Sequence, residues 1–173
     1  MHSLTTAPIL TTKRLLLRGP EQNDLQEFTR FMTTAPSMKA QGETGTAEQA
    51  WYGFLIGIGH WHWHGFGFFT VVEHLTGTPV GRVGLIKHSN WPEPELAWHL
   101  FEGSEGKGYA TEAAHAVKNW ANQDLGIVQL YSYIHRDNLR SQAVATRLGA
   151  IKNRTMAPHE PEAEIWVHLV ETG

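Results

Sequence analysis

The chain has 173 residues, 41% of them hydrophobic and 18% charged, which is enough apolar side chain to bury one core and too much for a disordered segment. Fourteen Lys and Arg against seventeen Asp and Glu give a formal charge of -3 with no polybasic block, which argues against a nucleic-acid or anionic-membrane binder. The absence of cysteine excludes disulfides, iron–sulfur clusters, thiolate metal sites and a cysteine nucleophile, and points to the cytoplasm.

Met1 to Thr12 has no basic start followed by an apolar run, so no signal peptide is expected. The apolar stretch Trp51 to Gly59 is too short, and too rich in glycine, to span a bilayer. Ile9 to Arg18 predicts a strand, broken by Gly19-Pro20. Leu25, Phe28, Phe31 and Met32 recur at helical spacing, with Asn23 or Asp24 as cap and Ala35-Pro36-Ser37 as stop. Gly42 to Gly45 reads as a loop, and Ala47 to about Ile58 as a second helix weakened by glycines.

From Phe66 the pattern becomes extended. Phe66 to Glu73 and Val80 to Lys87 predict a hairpin about a turn containing Gly77, and Asn90 to Pro94 a further turn. Glu95 to Phe101 alternates, with Leu96, Trp98 and Leu100 on one face and Glu95, Ala97, His99 and Phe101 on the other. After the glycine-rich loop Gly103 to Gly108, Ala110, Ala113, Ala114, Val117, Trp120 and Ala121 form one apolar stripe, with Gly126 as C-terminal cap. Ile127 to Ile134 predicts a strand, Asn138 to Leu148 a short helix ended by Gly149, and Ala150 to Thr155 and Ile165 to Val170 the closing strands. The order predicts one α+β domain over 1–173, a mixed and mostly antiparallel sheet flanked by helices.

The chemistry concentrates in Phe101-Glu102-Gly103-Ser104-Glu105-Gly106-Lys107-Gly108-Tyr109-Ala110-Thr111-Glu112. A strand feeds a glycine-rich loop that opens an amphipathic helix, an arrangement that presents unpaired backbone N–H groups and the positive end of the helix dipole to phosphate oxygens. It is neither the dinucleotide fingerprint, since position 111 is Thr, nor a P-loop.

Glu-Gly-Lys-Gly-Tyr-Ala-Thr-Glu-Ala resembles the acetyl-CoA pyrophosphate loop of the GNAT N-acetyltransferases, whose usual form is Gln or Arg, two residues, Gly, one residue, then Gly or Ala. Gly108 and Ala110 fill the last two places. Glu105 departs from the first, and its carboxylate is expected to point to solvent while the backbone binds. The match is similar in particular to the RimJ/RimL-like branch of ribosomal-protein N-terminal acetyltransferases. It runs through Thr12 to Arg18, Thr76 to Gly81, Glu95 to Trp98, Asn138 to Val144 and Leu148-Gly149-Ala150.

The resemblance implies a GNAT fold and direct acetyl transfer from acetyl-CoA to a primary amine, with no metal. The acceptor is a protein N-terminal amine or a small-molecule amine; a non-catalytic acyl-CoA-binding domain is the rival. The protein is expected to act as a monomer or homodimer. The resemblance implies cofactor contacts from the backbone of Leu100, Phe101 and Glu102 to pantetheine, and from Glu105, Gly106, Lys107, Gly108, Tyr109, Ala110 and Thr111 to pyrophosphate. It also implies a contact from Asn138, which is equally a natural helix cap.

Ser141 sits where the branch keeps a serine and is expected to position the thioester sulfur, a hydroxyl being a poor acid. The tyrosine that many relatives use one turn further on is replaced by Ala145. Either Glu95 or His99 can take the amine proton, directly or through water. His60-Trp61-His62-Trp63-His64 reads either as three alternating zinc ligands or, preferably, as a helix end whose aromatics line the acceptor pocket.

Overall fold

The computed structural model describes residues 5–36, 38, 44–157 and 160–169. Residues 1–4, Ser37, part of the loop expected at Gly42 to Gly45, and Val170 at the expected end of the last strand lie outside the described residues. Eight strands form one sheet: β1 (Leu10–Thr11), β2 (Leu15–Arg18), β3 (Phe68–Glu73), β4 (Pro79–Ile86), β5 (Glu95–Leu100), β6 (Gln129–His135), β7 (Ile151–Ala157) and β8 (Glu160–Leu169). Their order is β1-β2-β3-β4-β5-β6-β8-β7, antiparallel throughout except between β5 and β6. The described helices are α1 (Asp24–Thr34), α2 (Ala47–His64), α3 (Tyr109–Leu125) and α4 (Leu139–Arg147). This is the mixed, mostly antiparallel α+β architecture expected from the sequence.

The core lies between the sheet and α3. Leu15, Leu17, Phe69, Val71, Val83, Leu85, Leu96 and Leu130 pack on Ala113, Ala114, Val117, Trp120 and Ala121, the stripe predicted from helical periodicity. Gly126, at φ 67°, ends α3 as expected.

Two elements differ from expectation. Ile9 to Arg18 is not one strand but the tight hairpin β1–β2, closed by Thr12 N–H to Leu15 O at 2.9 Å and by Leu15 N–H to the Thr12 hydroxyl at 3.0 Å. The second helix does not stop near Ile58. It starts at a Thr46–Gln49 capping box and runs to His64, ended by Gly65 at φ 74°. Trp61 is the reason for the extension. It is fully buried, packs against Phe69 and Trp120, and donates Nε1–H to Phe68 O at 2.9 Å. Burial of that indole outweighs the low helix propensity of Gly53, Gly57 and Gly59.

The expected cap of α1 also takes another form, for neither Asn23 nor Asp24 caps it by side chain. Asp24 instead takes Arg18 in a two-pronged pair at 2.7 and 2.9 Å, with Thr70 Oγ1–H and Glu21 N–H on the same carboxylate. Burial alone would raise this carboxyl, but these bonds outweigh it and hold the group below its ordinary value.

Where β5 leaves β6, Ser132 donates Oγ–H to Leu96 O at 2.6 Å and accepts Nε2–H from the fully buried His168 at 2.9 Å. Burial, with the nearby Lys118 charge, pushes the His168 imidazole down to about 4. The unfolded imidazole titrates near 6.5. Between those values the unfolded chain takes up a proton that the native chain refuses, so this group costs stability as pH falls from about 6.5 to about 4, on the order of 3 kcal/mol in all. His168→Gln is expected to flatten that part of the stability curve. Urea midpoints at neutral and acid pH, measured for both proteins, check it.

Candidate active site

The site begins where two strands part. The β5–β6 ladder has a single register pair, Glu95 with Tyr131, beside Tyr131 N–H to Pro94 O at 3.0 Å. Beyond Leu96 the strands separate, and Ser132 Oγ supplies the hydrogen bond that β6 backbone no longer gives to Leu96 O. On the other edge of β5, Phe101 N–H bonds Val80 O at 2.9 Å. Alternation along an antiparallel ladder therefore turns the backbone groups of Trp98 and Leu100 into the gap. Of the three residues expected to meet pantetheine, Leu100 lines the gap. Phe101 does not, because its N–H is already used and its ring packs on Phe31. Glu102 lies past the strand, exposed and paired with Arg30 at 3.6 Å.

The gap widens into a cleft of about 820 Å³, a volume suited to a cofactor-sized ligand. One end is the loop before α3. Gly106 and Gly108 stand at φ 76° and 80°, backbone that favours glycine. Among the described residues no acceptor takes the N–H groups of Gly106, Gly108, Ala110 and Thr111, and no side chain caps the helix. Gly106, Gly108, Ala110 and Thr111 line the cleft, while the side chains of Lys107 and Tyr109 lie outside it. Tyr109 instead donates its hydroxyl to Glu73. Glu105 is exposed yet also borders the cleft, and its carboxylate folds back onto Gly103 N–H at 3.0 Å.

The loop is held from behind. Glu112 accepts Thr12 Oγ1–H at 2.6 Å, Arg14 N–H at 2.9 Å and Arg14 Nε–H at 2.7 Å, and Arg14 Nη1 donates to Lys107 O at 2.9 Å. Glu112 lines the cleft, but the pairing with Arg14 cancels its charge there.

The opposite wall is α4. Asn138 both caps it, accepting Ser141 N–H at 3.1 Å, and lines the cleft. Ser141 Oγ accepts Trp98 Nε1–H at 3.3 Å, an arrangement that leaves the hydroxyl proton for the cleft. Arg140, Val144 and Arg147 line the same wall, with His115 from α3. Sequence reasoning missed Arg140 and Arg147 as site residues, although positions 140, 144 and 147 lie on one helical face.

Both candidate bases lie on one face of β5, but the structure separates them. Glu95 does not line the cleft; it sits at the strand junction, where Oε1 accepts Tyr133 N–H at 3.3 Å. Burial, then the Glu95 charge, pushes the Tyr133 phenol up to about 12. His99 does line the cleft. It packs against Phe31 and Phe68, with ring centroids at 5.4 and 5.5 Å, and Nδ1 accepts Arg82 Nε–H at 3.0 Å. Burial, then the Arg82 charge, holds this imidazole well below its ordinary value. Arg82 lies between the Phe28 and Phe68 rings at 4.5 and 4.3 Å, and burial lowers it to about 9, still cationic at neutral pH.

The histidine cluster lies elsewhere. On α2 a two-residue spacing sets His62 on a different side from His60 and His64. Both ring nitrogens of His60 serve backbone groups: Nδ1 bonds Phe66 O at 2.8 Å, and Nε2 takes Lys87 N–H at 3.0 Å. Trp61 is core and Trp63 is 85% exposed, so the acceptor-pocket role expected for these aromatics falls away.

Residues 14–151 match the sequence model of the acetyltransferase (GNAT) domain. A curated relative, the uncharacterized N-acetyltransferase YnaD of Bacillus subtilis strain 168, is 22% identical over 157 residues, or 91% of each chain. The crystal structure of an acetyltransferase from Agrobacterium tumefaciens strain C58 is 32% identical and superposes with a TM-score of 0.86 over 96% of this chain and 97% of that one. RimL, a ribosomal L7/L12 α-N-protein acetyltransferase solved in complex with coenzyme A, shares the fold at 15% identity, with a TM-score of 0.77 over 94% of this chain and 98% of that one.

Proposed function

The chain belongs to the acetyltransferase (GNAT) domain family, and from that premise we propose that it transfers the acetyl group of acetyl-CoA to a primary amine, by direct attack and in the cytoplasm. One observation carries the reading: Gly106, Gly108, Ala110 and Thr111 line a cleft between parted strands, and no protein acceptor takes their N–H groups among the described residues. They cradle the pyrophosphate, with Arg140 and Arg147 adding positive charge from the facing helix. Pantetheine runs along the free edge of β5 and bonds backbone groups of Trp98 and Leu100. Asn138 and Ser141 border the thioester, and Ser141 offers its hydroxyl to the sulfur.

The amine enters from the face of β5 that bears Ala97 and His99, and its proton passes through water to Glu95. An N-terminal α-amine is the first acceptor to test, because RimL is a ribosomal-protein α-N-acetyltransferase. Small-molecule amines form the second panel. The test is release of free thiol from acetyl-CoA across both panels, beside calorimetric binding of CoA. Turnover on either panel supports the proposal. Tight binding with no turnover on any amine would make the protein an acyl-CoA-binding module instead.

A further inference from the structure

We propose that His99 is the oxyanion donor of this acetyltransferase: its Nε2–H, fixed by Arg82, holds the thioester carbonyl oxygen as the amine adds. The inference rests on the acetyl-transfer reading above.

The tautomer follows from the hydrogen bond. Arg82 can only donate, so His99 Nδ1 must accept, and in a neutral ring the proton then sits on Nε2. The imidazole therefore offers the cleft a donor. Protonating it would place a second cation against Arg82 in a desolvated position, which the burial and that charge both oppose. Among the described residues no carboxylate bonds the ring. Asp24, which shares a small cavity with Arg82, is already engaged by Arg18, Thr70 and Glu21 N–H. The Arg82 charge is thus left to polarise the imidazole N–H.

Position agrees. His99 lines the cleft next to Trp98, whose indole bonds Ser141. His99 is the next-to-last residue of β5, the strand along which the pantetheine arm must carry the thioester away from the pyrophosphate loop. The Phe31 and Phe68 rings keep the imidazole in place and lower the local dielectric, where a fixed donor has its largest effect on developing charge.

The step balances. The amine lone pair forms the C–N bond and the carbonyl π pair moves to oxygen, where Nε2–H meets the new charge. Collapse restores C=O and expels the CoA thiolate. The nitrogen loses its proton to water and the thiolate gains one, giving an acetamide and free CoA thiol. His99 keeps its own proton throughout, and Arg82 acts only as a positioning residue.

His99→Leu is expected to lower kcat by about a hundredfold to a thousandfold, with the KM for amine and the affinity for CoA unchanged. His99→Gln, which returns an N–H near the same place, should recover part of that loss. In the wild type, nitrogen-15 spectra at neutral pH should show a protonated Nε2 and bare Nδ1, and Arg82→Met should move the titration of the ring part of the way back toward its ordinary value, burial still holding it low. Unchanged kcat in a folded, CoA-binding His99→Leu protein overturns the proposal. So does a loss confined to the KM for amine, which would make His99 an acceptor contact, or loss of the acidic limb of the pH–rate profile, which would make it a base. A wild type that acetylates no amine would instead overturn the functional reading beneath it.

Discussion

Replacing Gly108 with valine is expected to weaken CoA binding by at least two orders of magnitude while leaving a folded protein. Gly108 stands at φ 80°, and an added Cβ there meets only Arg14 Nη2, at 3.4 Å. The cost to the fold is therefore mainly backbone strain, about 1–2 kcal/mol for an L-residue in the left-handed region. The cost to binding is larger. A branched side chain at this turn shifts the neighbouring N–H groups that face the cleft without acceptors. Each hydrogen bond to a charged phosphate is worth about 1.5–3 kcal/mol, so losing two of them gives a hundredfold or more. Calorimetric titration with CoA, beside thermal unfolding without it, separates the two costs. Gly108→Ala serves as control, because it carries the same strain with less bulk. Unchanged affinity in folded Gly108→Val would remove the loop from the cofactor site.

What could be read without coordinates divides by the range of the interaction involved. The α3 stripe, its Gly126 stop and the Asn138 cap depend on neighbours within one or two helical turns, so periodicity found them. The β1–β2 hairpin escaped because Thr12-Lys13-Arg14 has none of the glycine or asparagine that marks a tight turn. Its shape is held by the Thr12 hydroxyl and by Glu112, a hundred positions away from Thr12. The end of α2 escaped because Trp61 is buried by Phe69 and Trp120, partners that helix propensity does not register.

The site divides in the same way. The loop glycines and Ser141 belong to local motifs. The Arg82–His99 bond depends on the register that sets β4 against β5, which alternation along a single strand does not contain. The same register moved His99 from a solvated strand face to a packed position beside a cation, and so from candidate base to donor. The parting of β5 and β6 is likewise a matter of which strand pairs with which, and Ser132 and His168 look like ordinary strand residues until Ser132 Oγ is found bridging Leu96 O and His168 Nε2.

Removing that candidate leaves Glu95 as the carboxylate on the acceptor face, and Glu95→Gln is expected to lower turnover about a hundredfold or more, the range of general-base catalysis. The substitution is selective. Tyr133 N–H bonds the Glu95 carboxylate at 3.3 Å, and a glutamine carbonyl can accept the same bond, so the strand junction survives while the charge is lost. Direct transfer is not available, since Glu95 lies outside the cleft lining. A Glu95 base would therefore receive the proton through water on the Ala97 side of the strand, since backbone of Gly67 and Phe68 occupies the space over Gly84, the cross-strand partner of Ala97. Gly84 is held small by packing, since a Cβ there would lie 2.1 Å from Gly67 O.

A base must be deprotonated to work, so activity falls as pH drops through its pKa, and Glu95→Gln should flatten that acidic limb. Acetyl-CoA affinity should not change. Ser141→Ala should behave differently. Trp98 Nε1–H loses its acceptor and the thioester loses a positioning group, so turnover falls by less than for Glu95→Gln and the shape of the pH profile stays as it was. Steady-state kinetics across pH for both variants decides the matter. If Glu95→Gln keeps the wild-type rate and acidic limb, the amine must reach the thioester already deprotonated and lose its remaining proton to bulk water.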